Sequence, residues 1–237
     1  MQASLPVRVK LWGDLACFTR PELKVERVSY PVMTPSAARG ALEAILWKPE
    51  FRWAVDRIEV LRPLQFLAVR RNEVQVKAPT STIESWMHAG KDPLTLPPLV
   101  ADSRGRGGIA TQRNTLALRD VAYIVQARAL VRDETAAAGN PPQKYTEMFV
   151  RRLARGQCWQ QPYLGCREFA AAFSTPADDD VPVAVSADLG LMLYDVVFDA
   201  SGNVPVYFPA RLEAGVMDTS PAAAIPDARM QGRLGLC

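Results

Sequence analysis

The chain has 237 residues, a formal net charge of +3, an apolar fraction of 49% and a charged fraction of 22%. These values are typical of a globular protein with one large domain or two small ones, and the net charge alone does not indicate a nucleic-acid partner. No apolar run approaches the roughly 20 residues that cross a bilayer, and no apolar signal region precedes the first strand-like segment, so we expect no membrane partner. The four cysteines are scattered and form no CxxC pair, which favours reduced thiols and a cytoplasmic protein.

The first part of the chain alternates between strand and helix patterns. Residues 7–12 alternate apolar and polar side chains, which predicts a half-buried strand. Thr34 and Pro35 then predict a helix start, since threonine caps free amides and proline fits the first helical position. That helix has an apolar face that includes Leu42 and Leu46, and Lys48-Pro49 ends it. Residues 53–61 are predicted to form a second strand.

Residues 72–112 interrupt this alternation with four prolines and the run Arg104-Gly105-Arg106-Gly107-Gly108. Such a stretch is too long for a plain connection and predicts an extended hairpin or a functional loop. Residues 115–131 predict two strand-like pieces, with Tyr123 and the alternate residues after it on one face. A second helix is predicted from Asn140-Pro141-Pro142 to about residue 155, closed by Gly156, and residues 167–173 predict another strand.

The predicted order is therefore strand, helix, strand, insertion, strand, helix, strand. This is the split βαβ pattern of ferredoxin-like and RNA-recognition domains, which we assign to residues 1–173 in an α+β protein. Beyond residue 173 short β-like runs at 183–185, 191–198 and 204–208, with a hairpin turn at Ser201-Gly202-Asn203, predict a smaller antiparallel sheet over residues 174–237.

No pattern for metal or triad chemistry is present. The single histidine, His88, and the predicted surface loop Asp178-Asp179-Asp180 make no HxH or HExxH site. The GxSxG elbow of a serine hydrolase is missing. The glycine run at 105–108 lacks the Lys-Ser/Thr of a nucleotide P-loop. We therefore expect neither a metal nor a cofactor.

Arginine dominates the basic residues and occurs in clusters at 70–71, 104–106 and 151–152. Its planar guanidinium suits phosphate, although a solvated surface is the simpler interpretation of any single cluster. The glycine–arginine run offers backbone amides to an RNA backbone, or is a flexible loop. Lys144 lies near the predicted start of the second helix, where amides and the helix dipole favour a phosphate, with Arg151 and Arg155 further along the same outer row.

Four segments carry a resemblance to a known family: residues 11–22, 30–49, 112–123, and 156–158 with 162–169. Their most specific strings are Thr34-Pro35-Ser36-Ala37-Ala38-Arg39-Gly40 and Pro162-Tyr163-Leu164-Gly165-Cys166-Arg167-Glu168-Phe169. Together the segments span most of residues 7–173. The chain resembles the RAMP-superfamily subunit of type I-C CRISPR interference complexes, which processes precursor CRISPR RNA.

The resemblance implies a ferredoxin-like domain followed by a small C-terminal sheet. It also implies metal-independent cleavage at the base of the CRISPR repeat hairpin, by attack of a ribose 2′-hydroxyl on its own phosphate. The implied partners are repeat RNA, the 5′ handle of the mature CRISPR RNA and the other subunits of a type I-C Cascade complex, with duplex DNA as a further candidate.

The family's catalytic roles belong to a tyrosine late in the first helix and to a lysine–histidine pair at the start of the second. By this resemblance the lysine is Lys144, the histidine position holds Tyr145, and the first tyrosine position holds Leu46. Leucine has no ionisable group and can neither donate nor accept a proton. Tyr145 can donate one but is a poor base at neutral pH, and its position on the apolar face suits a core tyrosine equally well.

Two hypotheses from different classes follow. In the first, the protein is a nuclease in which Lys144 stabilises charge and Tyr145 or Tyr30 moves protons. In the second, it is a binding subunit that holds the handle of an RNA cut elsewhere; a stand-alone RNA chaperone is a third hypothesis with only the arginine clusters behind it. The candidate RNA contacts are Arg20, Arg39, Arg104, Arg106, Arg113, Arg151, Arg155 and Trp86.

Overall fold

The computed structural model describes residues 1–23, 25–74, 80–90, 110–199 and 202–220. Most of the predicted insertion at 72–112 therefore lies outside the described residues, and so do Arg104, Arg106 and Cys237. The described part is a mixed α and β structure, with a large, mainly antiparallel sheet and few helices.

The described residues form ten strands and four helices. They are β1 (Gln2–Ala3), β2 (Val7–Ala16), β3 (Arg27–Val28), α1 (Pro35–Ile45), β4 (Phe51–Val60), β5 (Phe66–Val74), α2 (Thr80–His88), β6 (Ala110–Val131), α3 (Asp133–Ala137), α4 (Pro142–Ala154), β7 (Ala172–Ser174), β8 (Ala187–Asp199), β9 (Gly202–Leu212) and β10 (Val216–Asp218).

The long strand β6 organises the larger sheet. The main path of that sheet runs β10-β4-β6-β2-β7 with antiparallel neighbours, and β1, β3 and β5 also pair with β6. The face of β6 that the sequence predicted to be apolar is buried throughout: Tyr123, Val125, Ala127, Ala129 and Val131. This alternation places one face of the sheet in the core, while the two backbone edges of β6 pair with β2 and β4.

Helix α1 begins where the sequence predicted. The Thr34 hydroxyl accepts a hydrogen bond from the Ala37 amide at 3.3 Å, and Pro35 occupies the first helical position. Leu42 and Ile45 on its apolar face are fully buried against the sheet. The helix ends at Ile45, four residues before Pro49, because Leu46 adopts an extended backbone (φ −145°, ψ 114°).

Helix α4 agrees with the predicted second helix. Gly156 ends it with a φ of 60°, and the Gln157 amide donates to the Arg152 carbonyl at 2.9 Å, which closes the last turn. Tyr145, Phe149 and Leu153 face the core as predicted, and α4 packs against α1, β2 and β6.

The two strand-like pieces predicted within residues 115–131 are wrong, because β6 is one continuous strand. The apparent break falls at Asp120, which has a φ of 52°. The ladder with β2 passes over Asp120 from Val121 to Arg119. A single residue in the left-handed region interrupts the apolar alternation without ending the hydrogen-bonded strand.

The strand predicted at 167–173 exists, but its bounds are wrong, since β7 contains only Ala172–Ser174. Before it the chain makes a turn, in which the Leu164 amide donates to the Phe169 carbonyl at 2.8 Å. Gly165 has a φ of 82°, and a Cβ there would lie 2.1 Å from the Cys17 carbonyl oxygen. We call this close contact of Cys17 and Phe18 with Leu164, Gly165 and Cys166 the glycine junction.

Strand β5 and helix α2 were not predicted from the sequence. Strand β5 pairs with β6 from Phe66 opposite Leu118 to Val74 opposite Ala110. The predicted extended hairpin therefore exists, and its base begins before residue 72. Because the two strands of this hairpin extend beyond the main sheet, their side chains lack the half-buried alternation from which a strand is predicted.

The C-terminal part contains the predicted hairpin, formed by β8 and β9 with Asp199 opposite Gly202. The run at 183–185 is not a strand: the Val183 amide donates to the Val60 carbonyl at 2.9 Å without forming a ladder. Strand β10 leaves the hairpin and pairs with β4 at the edge of the larger sheet. Residues from both sheets share one buried core, which includes Trp53, Phe208 and Met217.

Candidate RNA-cleavage and RNA-binding site

The start of α4 presents the lysine that the sequence singled out. Lys144 is exposed in the first turn, and its ammonium donates a hydrogen bond to the Asn140 side-chain oxygen at 2.6 Å. The residue before the helix is Pro141, and no side chain caps the first turn. The Lys144 amide donates to the Pro141 carbonyl at 3.1 Å. The ammonium of Lys144 therefore lies at the positive end of the helix dipole, an arrangement that attracts a phosphate.

Tyr145, the next residue, points the other way. Only 1% of its surface is exposed, and its ring stacks on Phe51 with centroids 4.6 Å apart and planes 24° apart. Its buried hydroxyl has no hydrogen-bond partner among the described residues. Burial, helped by the negative charge of Glu50, raises the pKa of this hydroxyl, so Tyr145 stays protonated and can only donate a proton at neutral pH.

Leu46 lies at the C-terminal end of α1 and is fully buried. Its carbonyl accepts the indole N–H of Trp53 at 3.0 Å, and Trp53 in turn packs edge-on against Phe149 with centroids 4.9 Å apart. The position that the family resemblance assigns to a tyrosine is thus a hydrophobic core position in this chain.

Tyr30 lies in a different environment from Tyr145. It is 1% exposed, the Arg20 guanidinium lies 4.6 Å from its ring centroid, and Leu193 of β8 is a neighbour. Burial is the main cause that raises the pKa of Tyr30 to about 12. Arg20 itself is half-buried and lies 3.7 Å from the Glu22 carboxylate, so this candidate RNA contact is partly neutralised.

Arg39 joins helix α1 to strand β8 of the smaller sheet. Its guanidinium donates two hydrogen bonds to the buried carboxylate of Asp195 in β8, and Arg52 donates a third at 2.8 Å. Burial raises the pKa of nearby Glu43. Arg39 stays a predicted RNA contact, but its positive charge is already paired in the structure.

The remaining predicted contacts fall into three places. Arg151 and Arg155 are exposed on α4, as predicted. Arg113 is half-buried in β6 opposite Arg71, and Trp86 is half-buried on α2. Lys144, Arg151 and Arg155 are therefore brought onto one helix, whereas Tyr30, Arg39 and Arg113 are not part of that surface.

Sequence reasoning missed two tryptophans near the same helix. Trp47 is 58% exposed directly after α1, and Trp159 is 80% exposed after α4. The available signal was their position, because each indole lies just after a helix end, outside the apolar periodicity of the helix.

Among the described residues no group of three or more His, Cys, Asp or Glu side chains is placed to hold a metal ion. Those same ranges contain no helix with the length and hydropathy that a membrane span requires.

Comparisons with known proteins agree with one another. Residues 7–219 match the family described as CRISPR-associated protein (Cas_Cas5). The CRISPR pre-crRNA endoribonuclease Cas5d of Mannheimia succiniciproducens is 45% identical over 223 residues, which are 91% of this chain and 95% of the relative. The protein of the same name from Thermus thermophilus is 49% identical over 231 residues, covering 90% of each chain.

A solved structure of a CRISPR-associated protein has the same fold. It superposes with a TM-score of 0.62 at 20% identity and covers 92% of this chain and 93% of the other. Because the family match extends over nearly the whole described chain, and two relatives share almost half of their residues with it, the chain belongs to the Cas5d family of CRISPR-associated proteins.

Proposed function

We propose that this protein is an endoribonuclease that cleaves precursor CRISPR RNA within the repeat and then holds the 5′ handle in a type I-C interference complex. The observation that carries the proposal is the exposed ammonium of Lys144 beside the uncapped first turn of α4. The two relatives that share 45% and 49% of their residues with this chain are named CRISPR pre-crRNA endoribonucleases, which supports the same activity here.

The proposed reaction is an internal transesterification. The ribose 2′-oxygen attacks the adjacent phosphorus, the bond from phosphorus to the 5′-oxygen breaks, and the products are a 2′,3′-cyclic phosphate and a 5′-hydroxyl. The 2′-hydroxyl gives up its proton to a base, and the leaving 5′-oxygen takes one from an acid. Lys144 and the positive end of the α4 dipole stabilise the extra negative charge on the phosphate in the transition state.

Tyr145 is the proposed proton donor. Its hydroxyl is protonated at neutral pH, as that of an ordinary tyrosine is, and burial raises its pKa further. No protein group among the described residues competes for its hydrogen bond. Since the side chain is 1% exposed, donation to the leaving oxygen requires the start of α4 to open locally when RNA binds. Tyr30 is the second candidate for proton transfer, from a different part of the fold.

A second function, RNA binding without cleavage, is favoured by one specific observation. Leu46 and Tyr145 occupy two positions that the family resemblance assigns to proton transfer, and both side chains are withdrawn from solvent. In that case Lys144 contacts the handle of an RNA that another enzyme has cut, and cleavage by the purified protein is absent.

The deciding experiment uses the purified full-length chain and a labelled CRISPR repeat hairpin in buffer with EDTA. Wild type is expected to cut the hairpin, and Lys144→Ala to slow cutting by about 100-fold or more while RNA binding weakens by less than about tenfold. Arg211→Ala removes an equally positive, 72% exposed side chain from β9 and serves as the matched control with normal cutting.

One outcome would contradict the proposed nuclease activity, and another would contradict only its mechanism. If wild type leaves the hairpin intact in EDTA but binds it, the protein is a binding subunit. If a 2′-deoxy nucleotide at the scissile position does not prevent cutting, the 2′-hydroxyl is not the nucleophile, and the proposed mechanism fails even though the activity stands.

The finer description of the fold belongs to the same proposal. We infer a ferredoxin-like core in which β2, α1, β4, β6, α4 and β7 form the split βαβ pattern. The antiparallel strand order β4-β6-β2-β7 supports it, since that order places the first and third strands of the pattern at the centre. The division into residues 1–173 and 174–237 stays a prediction.

The proposed partners are the CRISPR repeat RNA and the other subunits of the interference complex, with duplex DNA as a further candidate. The proposed location is the cytoplasm, and the proposed reaction uses no metal or other cofactor, because Lys144 supplies the positive charge.

A further inference from the structure

The two exposed tryptophans, Trp47 and Trp159, which we call the tryptophan pair, lie at one end of α1. Trp47 follows the last residues of that helix. The amides of Trp159 and Gln160 both donate to the Ala44 carbonyl, at 2.9 and 3.1 Å. The backbone of the segment after α4 is therefore fixed to the end of α1, so that Trp159 and Trp47 both lie at that end of the helix.

A side chain from α4 fixes the same helix end. The Arg152 guanidinium donates to the Ile45 carbonyl at 2.6 Å, one residue from the carbonyl that holds Trp159. These contacts satisfy carbonyls that α1 leaves free at its C-terminus. Because the backbone on both sides is held, the large exposed area of the tryptophan pair does not result from loose chain ends.

The exposed face of α4 leads from Lys144 to this helix end. Arg151 and Arg155 are exposed on it, and neither forms an ion pair with a described carboxylate, while Glu147 is the acidic member of the row. Lys144 and Arg155 are eleven residues apart, about 16 Å along a helix. This distance corresponds to about five steps of a stacked nucleic-acid strand at roughly 3.4 Å each.

We propose that the tryptophan pair stacks against bases of the single-stranded RNA that flanks the cleaved hairpin, while Arg151 and Arg155 bind the phosphates between that RNA and Lys144. Single-stranded RNA is bound by aromatic platforms combined with a row of positive charges, because every base has a face that stacks and every nucleotide has a phosphate. This inference rests on the proposed function, and it adds the surface on which the unpaired RNA binds.

A protein partner is the other possible occupant of exposed tryptophans. The row of positive charges favours RNA, because its two guanidinium groups form no ion pair with a carboxylate in the described part of the chain and a polyanion neutralises several charges at once. The row also continues directly from Lys144, where the scissile phosphate is proposed to bind.

The test compares two RNAs: the repeat hairpin with single-stranded flanks and the same hairpin without them. The quantity measured is the factor by which the flanks improve the Kd. We expect Trp47→Ala and Trp159→Ala each to reduce that factor by about 5- to 100-fold, and Trp47→Phe and Trp159→Phe to restore most of it. Val181→Ala truncates another exposed apolar side chain, one that is 69% exposed, and should leave the factor unchanged.

A footprint on wild type removes any dependence on how the variants fold. Flanked RNA should protect Trp47 and Trp159 from hydroxyl-radical oxidation, as measured by mass spectrometry, and the hairpin without flanks should not. The inference is overturned if flanked RNA gives no protection, or if folded alanine variants keep the full benefit of the flanks. It is also overturned if those variants bind both RNAs normally and lose only assembly with partner subunits.

These outcomes separate the inference from the proposed function. Cutting of the flanked hairpin by wild type decides whether the protein is a nuclease. The factor by which the flanks improve the Kd tests where the unpaired RNA binds. A loss of that factor or its persistence in the variants is compatible with either result of the cleavage assay.

Discussion

The glycine junction and the exposed face of α4 differ in what the sequence reveals about them. The junction contains some of the most distinctive strings in the chain, yet its side chains are mainly buried: Cys17, Phe18 and Leu164 are at most 2% exposed. The face of α4 carries the proposed chemistry on residues that would look ordinary on any surface helix. A distinctive string in this protein therefore marks a place where packing tolerates few residues, whereas the reactive surface depends on where a common residue is placed.

The largest expected effect on stability is at the junction. Gly165→Ala places a Cβ 2.1 Å from the Cys17 carbonyl oxygen at a residue with a φ of 82°. We expect the free energy of unfolding to fall by about 3–5 kcal/mol, because backbone must move to relieve the clash. Urea unfolding measures this change.

Gly156→Ala is the matched control for that substitution. Gly156 also has a positive φ, 60°, but a Cβ there meets nothing within 4 Å. Its expected cost is only about 1 kcal/mol, from the backbone conformation alone. Equal losses at the two glycines would show that packing at the junction adds nothing.

A smaller, pH-dependent effect on stability is expected from the ionisation of Tyr30. The amide of this residue donates to the Phe18 carbonyl beside the junction at 2.8 Å. Burial raises the pKa of Tyr30 to about 12, whereas an unfolded tyrosine has a pKa of about 10. The folded state therefore keeps a proton that the unfolded state loses, so stability is full below pH 10 and falls as the pH rises from about 10 to about 12.

Tyr30→Phe should remove this contribution to the alkaline loss of stability, which is about 2–3 kcal/mol. Urea unfolding of wild type and variant at pH 9 and pH 12 gives the difference. Tyr163→Phe alters a half-buried tyrosine near the same turn and controls for general effects of losing a hydroxyl. An unchanged alkaline loss in the Tyr30 variant contradicts the prediction.

The smallest change in stability is expected from Tyr145→Phe. This substitution also tests whether Tyr145 takes part in the chemistry of α4 or only packs in the core. Removal of a buried hydroxyl without a partner should raise the free energy of unfolding by about 1 kcal/mol. If Tyr145 donates the proton, hairpin cleavage in EDTA should also slow by about 100-fold. Full cleavage in a stabilised variant would assign Tyr145 to the core alone.

Much of the framework was predictable from residues close together in the chain. Thr34 and Pro35 start α1, Gly156 ends α4, and the alternation after Tyr123 places one face of β6 in the core. The strand predictions failed where strand formation depends on residues far apart in the chain. Asp120, with its positive φ, interrupts the alternation in β6 although the strand continues, and β5 forms by pairing with the distant strand β6.

The candidate site was predictable only in part. The position of Lys144 near a helix start follows from the proline pair before it, and its exposure follows from helical spacing. The withdrawal of Leu46 and Tyr145 into the core depends on Phe51, Trp53 and Phe149, which come from other elements. Likewise, the pairing of Arg39 with Asp195 joins residues 156 positions apart.

The sequence by itself determined the family resemblance, the two main helices and the lysine on which the proposed chemistry depends, because caps, periodicity and specific strings act over short stretches of chain. Only the tertiary structure decided which positive charges are already paired, which tyrosines are buried, and that the tryptophan pair lies at the end of the α4 face. Burial and ion pairing depend on which distant segments meet, and no local pattern specifies that meeting.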